Sequence, residues 1–302
     1  MDFVEASTTG HNPTDRGGAT VSVQTAISFE VYPPRSPEKL PDLHDSIRTL
    51  DSVSPDFISV TFGAGGSSTR DSLDVLTFIK SNTRATPLAH LTCVGTTRAE
   101  AEDLIESFVD HGITEFLALR GDLPEGTIEH HGELEHAIDL VNLMRSGFDG
   151  AHAIERIAVA AFPNGHPEST SIDFDIEVLR AKQEAGATLA ITQLFFFAED
   201  YLRFVEKARA EGITIPILPG LMPITSPARL ARVVELTGEE LPVDLDQRLQ
   251  STEDPRERAQ HGIEWCADMI RDLVNAKAPG VHLYAFNQHE TVLSALEQAG
   301  VR

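Results

Sequence analysis

Eight short runs of β-branched and aromatic residues, with helix-like segments between them, constrain this chain more than any other feature. The runs read "TAISFEVY", "FISVTFG", "LAHLTCV", "FLALRG", "IAVAAF", "LAITQLFF", "IPILPGLMP" and "VHLYAFN". They are near-continuous in hydrophobicity, as strands covered on both faces are. Between them apolar residues recur at helical spacing, as in Leu104, Ile105, Phe108 and Val109, or Leu134, Ile138, Val141 and Met144. Helix starts are marked by Ser36 before Pro37, by Ser226 before Pro227, and by Thr97 with Glu100 at capping-box spacing. A parallel sheet covered by helices follows, and eight such units close into an α/β (β/α)8 TIM barrel. A doubly wound open sheet would carry G-x-G-x-x-G after its first strand. Here the glycine-rich stretch "GAGGSS" follows the second, with Ser68 where the third glycine belongs.

A chain of 302 residues, 41% hydrophobic, has the material for one such domain, placed at residues 23–302. Residues 1–22 are polar and glycine-containing and read as a mobile N-terminal tail. The polar stretch 237–258, "TGEELPVDLDQRLQSTEDPRER", reads as an insertion passing over the barrel mouth. The formal charge of -23 argues against nucleic acid or an anionic membrane surface as partner. No apolar run is long enough for a membrane span and the N-terminus lacks a secretion signal, so a cytoplasmic location is expected. Cys93 and Cys266 fit no zinc or redox spacing and are expected to be buried thiols. Oligomeric state has no signature in such a chain.

In a barrel of this kind the working residues stand at the C-terminal ends of the strands. Those positions hold Glu30, Thr61, His90, Arg120, Asp122, His166, Gln193 and Asn287, from seven strands or the loops after them. Polar groups inside apolar strands cost stability unless paired or used, so their convergence on one rim favours a site. Glu30 lies between Phe29 and Val31, where the neutral acid is favoured, which suits a general acid; an ion pair with Arg35 is the plainer alternative. Arg120 could simply pair with a nearby acid, and Gln193 could be a polar plug in the barrel. His131 and His136 in "HHGELEH" match no metal-ligand spacing, so no metal is expected. Ser67 and Ser68 lack a nucleophile-elbow context.

Seven motifs in order, "SFEVYPPR", "ISVTFGAGGSSTRD", "LAHLTCV", "FLALRGDLPEG", "AAFPNGHPES", "AGATLAITQLFF" and "HLYAFN", resemble the methylenetetrahydrofolate reductase family over about residues 25 to 298. The resemblance implies reduction of 5,10-methylenetetrahydrofolate to 5-methyltetrahydrofolate with electrons from NADH or NADPH. Opening the methylene bridge requires a proton at the departing N10, and a hydride then adds to the N5 iminium carbon. Glu30 matches the family's general acid. Asp122 matches the aspartate that faces the pterin and stabilises the iminium. Gln193 matches the pterin-binding glutamine, and Arg120 a residue beside the flavin phosphates. Asn287 matches the family's asparagine in the last strand, whereas the arginine that follows it in some members is Gln288 here.

The chain also departs from flavin-dependent members. Phe162 stands where they use a tyrosine to hold FAD, and Val178 and Ala181 where they use an asparagine and an arginine; Asp175 and Lys182 remain. His136 stands where an aromatic that stacks on the adenine is common. These departures resemble the flavin-free branch, in which NADH passes hydride directly to folate, and FAD binding is expected to be weak or absent. Thr61, His90, Asp122 and His166 would then line the nicotinamide cavity. An FAD-dependent reductase and a non-catalytic folate-binding protein are the alternatives.

Overall fold

The computed structural model describes residues 25–34, 36–61, 69–121 and 132–301. The expected tail, Arg35, Ser67, Ser68, Asp122 and His131 lie outside them. Strands β1 (Ala26–Val31), β2 (Phe57–Val60), β3 (Thr86–Thr92), β4 (Glu115–Leu119), β5 (Arg156–Ala161), β6 (Leu189–Thr192), β7 (Ile217–Leu218), β8 (Gly220–Leu221) and β9 (Gly280–Tyr284) pair in parallel. Their order is β7-β6-β5-β4-β3-β2-β1-β9-β8. β7 and β8 are the two halves of the run "IPILPGLMP", separated by Pro219. One half pairs with β6 and the other with β9, so the ring closes through this single segment as a TIM barrel. Proline has no N–H to give a ladder, but the Pro219 carbonyl accepts from His282 N–H at 2.9 Å.

Period-two alternation decides what each strand presents. The outward set, including Phe29, Val31, Ile58, Val60, Leu91, Phe116, Val159 and Leu283, packs with the helices into the main core. The inward set is led by a layer of Phe57, Leu88, Leu117, Ala158, Leu189, Ile191 and Leu218 that fills the barrel. Cys93 and Cys266 are buried free thiols, and burial pushes them up to about 11 and about 12.

Ten α-helices lie among the described residues: α1 (Leu40–Leu50), α2 (Thr69–Asn82), α3 (Arg98–Asp110), α4 (Ala137–Gly147), α5 (Ile172–Glu184), α6 (Ala198–Ala210), α7 (Pro227–Thr237), α8 (Val243–Gln250), α9 (Pro255–Asn275) and α10 (His289–Ala299). Thr97 and Glu100 form a reciprocal capping box at α3, and Ser226 accepts the Arg229 N–H at α7. Ser36–Pro37 starts only a 3-10 turn, Pro37–Lys39, and the α-helix begins at Leu40. α8 lies within the polar stretch 237–258 and buries Leu245 and Leu249 against Leu194, Phe196, Met222 and Ile224, just beyond the C-terminal ends of β6 and β8. α9 crosses that segment at Gly262, where a Cβ would stand 1.8 Å from the Ile224 carbonyl oxygen. No helix among the described residues is long and apolar enough to cross a membrane.

Candidate active site

The polar inward positions gather at the C-terminal end of the barrel, above the apolar layer. They include Ser28 and Glu30 on β1, Ser59 on β2, His90 on β3, and His282 and Tyr284 on β9. The β1–β9 register sets Ser28 beside His282 and Glu30 beside Tyr284. Glu30 is 7% exposed, His90 6% and His282 0%. Glu30 Oε2 lies 3.5 Å from His90 Nε2 and 3.8 Å from His282 Nε2. Neither imidazole nitrogen has a hydrogen-bond partner among the described residues, so both contacts with Glu30 are electrostatic approaches and not formed hydrogen bonds. Burial holds the His90 imidazole below its ordinary value, Glu30 opposing and His282 reinforcing that shift. A carboxyl group flanked by two imidazoles in a nearly buried floor can hold and release a proton.

Around this floor the rim is built from loops. Thr61, just past β2, has a buried hydroxyl without a partner among the described residues and lines a cleft of about 610 Å³ together with Tyr32, Lys39, Phe286, Asn287 and Gln288. The Asn287 carboxamide is occupied: its oxygen accepts the Tyr32 N–H at 3.2 Å and its nitrogen donates to the Tyr32 carbonyl at 2.9 Å. It clasps the loop after β9 to the loop after β1. Phe286 and Asn287 have φ of 43° and 62°, a region asparagine tolerates and phenylalanine rarely enters. Arg229 reaches the same rim from α7 and donates to Gln288 Oε1 at 2.9 Å.

Gln193 follows β6 and is exposed toward the mouth, so it is not a plug in the barrel; its oxygen accepts the Leu194 N–H at 2.9 Å. Arg120, at the outlet of β4, is ion-paired with Glu168 in the loop after β5, the plainer of the two expectations for it. Phe162 and His166 meet edge to face at 4.7 Å. Asp175 accepts the His166 N–H at 3.0 Å, tying α5 to that loop. Lys182 donates to the Ala160 carbonyl at 3.4 Å, and burial pushes its ammonium down to about 8 against the opposing pull of Asp175. Val178 and Ala181 offer no polar group on this helix. His136 is the N-cap residue of α4, its N–H donated to Asp139 at 2.8 Å.

The structure thus brings Glu30 and His90 together on the floor, and sets Arg120, Phe162, His166, Asp175 and Lys182 side by side along β4, β5 and α5. Asp122 lies outside the described residues. Sequence reasoning missed Ser28, His282 and Tyr284. The signal was present: Ser28 is two residues from Glu30, and His282 and Tyr284 alternate in "HLYAFN" on one face of a strand.

The sequence profile described as Methylenetetrahydrofolate reductase matches residues 18–300. The 5,10-methylenetetrahydrofolate reductase of Escherichia coli (strain K12) is 34% identical over 306 residues, covering 100% of this chain and 99% of that protein. Methylenetetrahydrofolate reductase (NADH) 1 of Arabidopsis thaliana is 31% identical over 291 residues, 92% of this chain and 49% of that one. A probable methylenetetrahydrofolate reductase (NADPH) of Caenorhabditis elegans is 32% identical over 289 residues, 92% of this chain and 42% of that one. Among solved structures, an uncharacterized protein from Clostridium thermocellum that binds two copies of 5-methyl-5,6,7,8-tetrahydrofolic acid has a TM-score of 0.62 at 13% identity, over 91% of this chain and 96% of that one, a likeness of fold.

Proposed function

The chain belongs to the methylenetetrahydrofolate reductase family, and we propose that it reduces 5,10-methylenetetrahydrofolate to 5-methyltetrahydrofolate with hydride taken directly from NADH. The observation that carries the reading is the Glu30 carboxyl, set between two imidazoles on the floor of the barrel mouth. Opening the methylene bridge moves the C–N10 electron pair onto N10, and the Glu30 proton forms the new N–H. The N5 iminium left behind accepts hydride at its carbon, which leaves oxidised nicotinamide and a methyl group. Fixed dipoles around such a cation act strongly where water is excluded. Gln193, exposed to the mouth, has an amide that can both donate to and accept from a pterin. Asp122 follows the described end of β4 by sequence and is assigned the pterin's amino edge. Asn287, its amide held by Tyr32, contributes by fixing the rim around the substrate.

The residues along β4, β5 and α5 do not fit a tightly held FAD. Arg120 is paired with Glu168, Lys182 is half-buried beside Asp175, and Val178 and Ala181 supply no donor to a diphosphate. A charge-assisted contact is worth roughly 1.5–3 kcal/mol, so several missing ones weaken a dinucleotide by orders of magnitude. Thr61, His90 and His166 are then the residues assigned to the nicotinamide cavity. NADH is preferred to NADPH because NADPH needs a cationic partner for its extra phosphate and no motif of the sequence offers one.

The test is NADH oxidation dependent on methylenetetrahydrofolate, using protein whose visible spectrum shows no flavin, with and without added FAD. Turnover without FAD is expected. Turnover that appears only with FAD returns the protein to the flavoenzymes, and none in either condition leaves a folate-binding protein.

A further inference from the structure

The floor of the mouth holds more proton-carrying groups than one protonation requires. His282 is fully buried on β9, with Phe57 stacked on its ring at 5.6 Å. Its Nδ1 lies 2.9 Å from Ser28 Oγ, while its Nε2 has no hydrogen-bond partner among the described residues and stands 3.8 Å from Glu30 Oε2. Ser28 has one hydroxyl proton and a second acceptor within reach, the Val281 carbonyl at 3.2 Å. With the hydroxyl given to Val281, Ser28 accepts the His282 Nδ1–H, and the Nε2 lone pair faces the Glu30 carboxyl.

Among the described residues, Tyr284 and His90 are the other titratable groups facing this pair. Tyr284 meets the His282 ring edge-on at 5.3 Å, but its hydroxyl is donated to the Thr192 carbonyl at 2.8 Å, and burial with Glu30 nearby pushes it up, away from ionisation. Burial lowers the His90 imidazole, with Glu30 opposing that shift. His282 is the imidazole that the Ser28 hydroxyl orients toward Glu30.

We propose that Ser28 and His282 are positioning residues that keep Glu30 supplied with its proton. Ser28 fixes the imidazole so that its Nε2 faces Glu30 Oε2 and can pass a proton to it. In turnover the Glu30 O–H breaks, the N10–H forms and a carboxylate remains. After product leaves, one proton from solvent restores the pair. The proposal rests on Glu30 being the acid.

The experiment compares kcat profiles from about pH 6 to about pH 9 for the wild type, Glu30→Gln, His282→Gln and Ser28→Ala, with NADH, methylenetetrahydrofolate and FAD all saturating. Glutamine at 282 can present an N–H near the Nε2 position but cannot take up a proton. Its alkaline limb is expected to move toward acid by about one pH unit or more, with Ser28→Ala moving the same way by less. A uniform fall in kcat with the limb unmoved in both variants overturns the proposal, because loss of packing alone does that. Should His282→Gln fail to fold, Ser28→Ala, which keeps the ring, carries the test. Full turnover by Glu30→Gln removes the acid itself and the proposal with it, whereas an inactive Glu30→Gln beside unmoved limbs overturns the proposal alone.

Discussion

The guanidinium of Arg120, at the outlet of β4, is ion-paired with the carboxylate of Glu168, in the loop that follows β5. In a chain of formal charge -23, a cation at the barrel mouth is what an anionic dinucleotide would seek first, and here an acid of the same chain stands against it. On α5 the Lys182 ammonium is engaged by the Ala160 carbonyl and Asp175, and Val178 and Ala181 are apolar. The combined variant Glu168→Gln, Val178→Asn, Ala181→Arg removes that counter-charge and supplies two donors. FAD affinity, followed by quenching of flavin fluorescence, should rise at least tenfold, because one charge-assisted contact of about 1.5 kcal/mol already gives that factor. Wild-type protein that already holds FAD as tightly as the variant would sink the idea.

At the opposite end of the barrel, Glu115 opens β4 beside Arg156 of β5, with Arg156 Nε 3.4 Å from the carboxylate and Nη1 2.9 Å from Asp56. Burial pushes the Glu115 carboxyl from 4.5 up to about 7; Arg156 opposes the shift, and Asp56 and Glu155 add to it. A raised acid binds its proton more tightly in the folded state. Its stabilisation is therefore complete below about pH 4.5 and is lost as pH rises through about 7. At about 1.4 kcal/mol per unit, discounted for screening by solvent and Arg156, the swing is about 2 kcal/mol. Glu115→Gln abolishes it. Denaturation at pH 5 and pH 8 should show the variant gaining about 2 kcal/mol on the wild type at the higher pH, and equal gaps at both would refute the assignment.

The barrel was legible because strands covered on both faces are apolar almost throughout, and its buried carboxyl because a glutamate between Phe29 and Val31 breaks that pattern. What surrounds the acid was less legible. Ser28 and His282 are 254 positions apart, and only the β1–β9 register places them together. In isolation each looks like an ordinary core residue with its hydrogen bond satisfied. The Arg120–Glu168 pair has the same character, a contact between two loops that no local spacing reveals. Pro219 reads as part of one continuous strand, and its role as the joint where the ring closes depends on two neighbours distant in sequence. Pro37 satisfies the rule for a helix start, yet the chain makes a 3-10 turn before α1 begins at Leu40.

Just after that joint, Gly220 donates its N–H to Thr192 Oγ1 at 2.8 Å while Tyr284 passes over it. A Cβ at position 220 would stand 2.3 Å from the Thr192 carbonyl oxygen and 2.8 Å from the Tyr284 ring. The carbonyl is backbone held in the sheet and cannot move aside cheaply. Gly220→Ala is expected to cost about 3 kcal/mol and to shift Tyr284 away from the floor. Urea unfolding measures the first effect. A midpoint equal to that of the wild type would show that β8 has room the geometry denies it.

Asn287 permits two effects to be separated. Its φ of 62° is a left-handed conformation, and its amide makes both bonds to the Tyr32 backbone. Asn287→Gly keeps the conformation and loses the clasp, at about 1 kcal/mol for each hydrogen bond. Asn287→Ala loses the clasp and adds the left-handed penalty, about 1 kcal/mol more. Stability should therefore fall in the order asparagine, glycine, alanine. The clasp also fixes Tyr32 and Phe286 against the cleft, whereas Glu30 sits deeper on β1, so both variants should raise KM for methylenetetrahydrofolate by a larger factor than they lower kcat. Equal KM values in all three proteins would mean that the clasp holds the loops together without shaping the mouth through which the substrate enters.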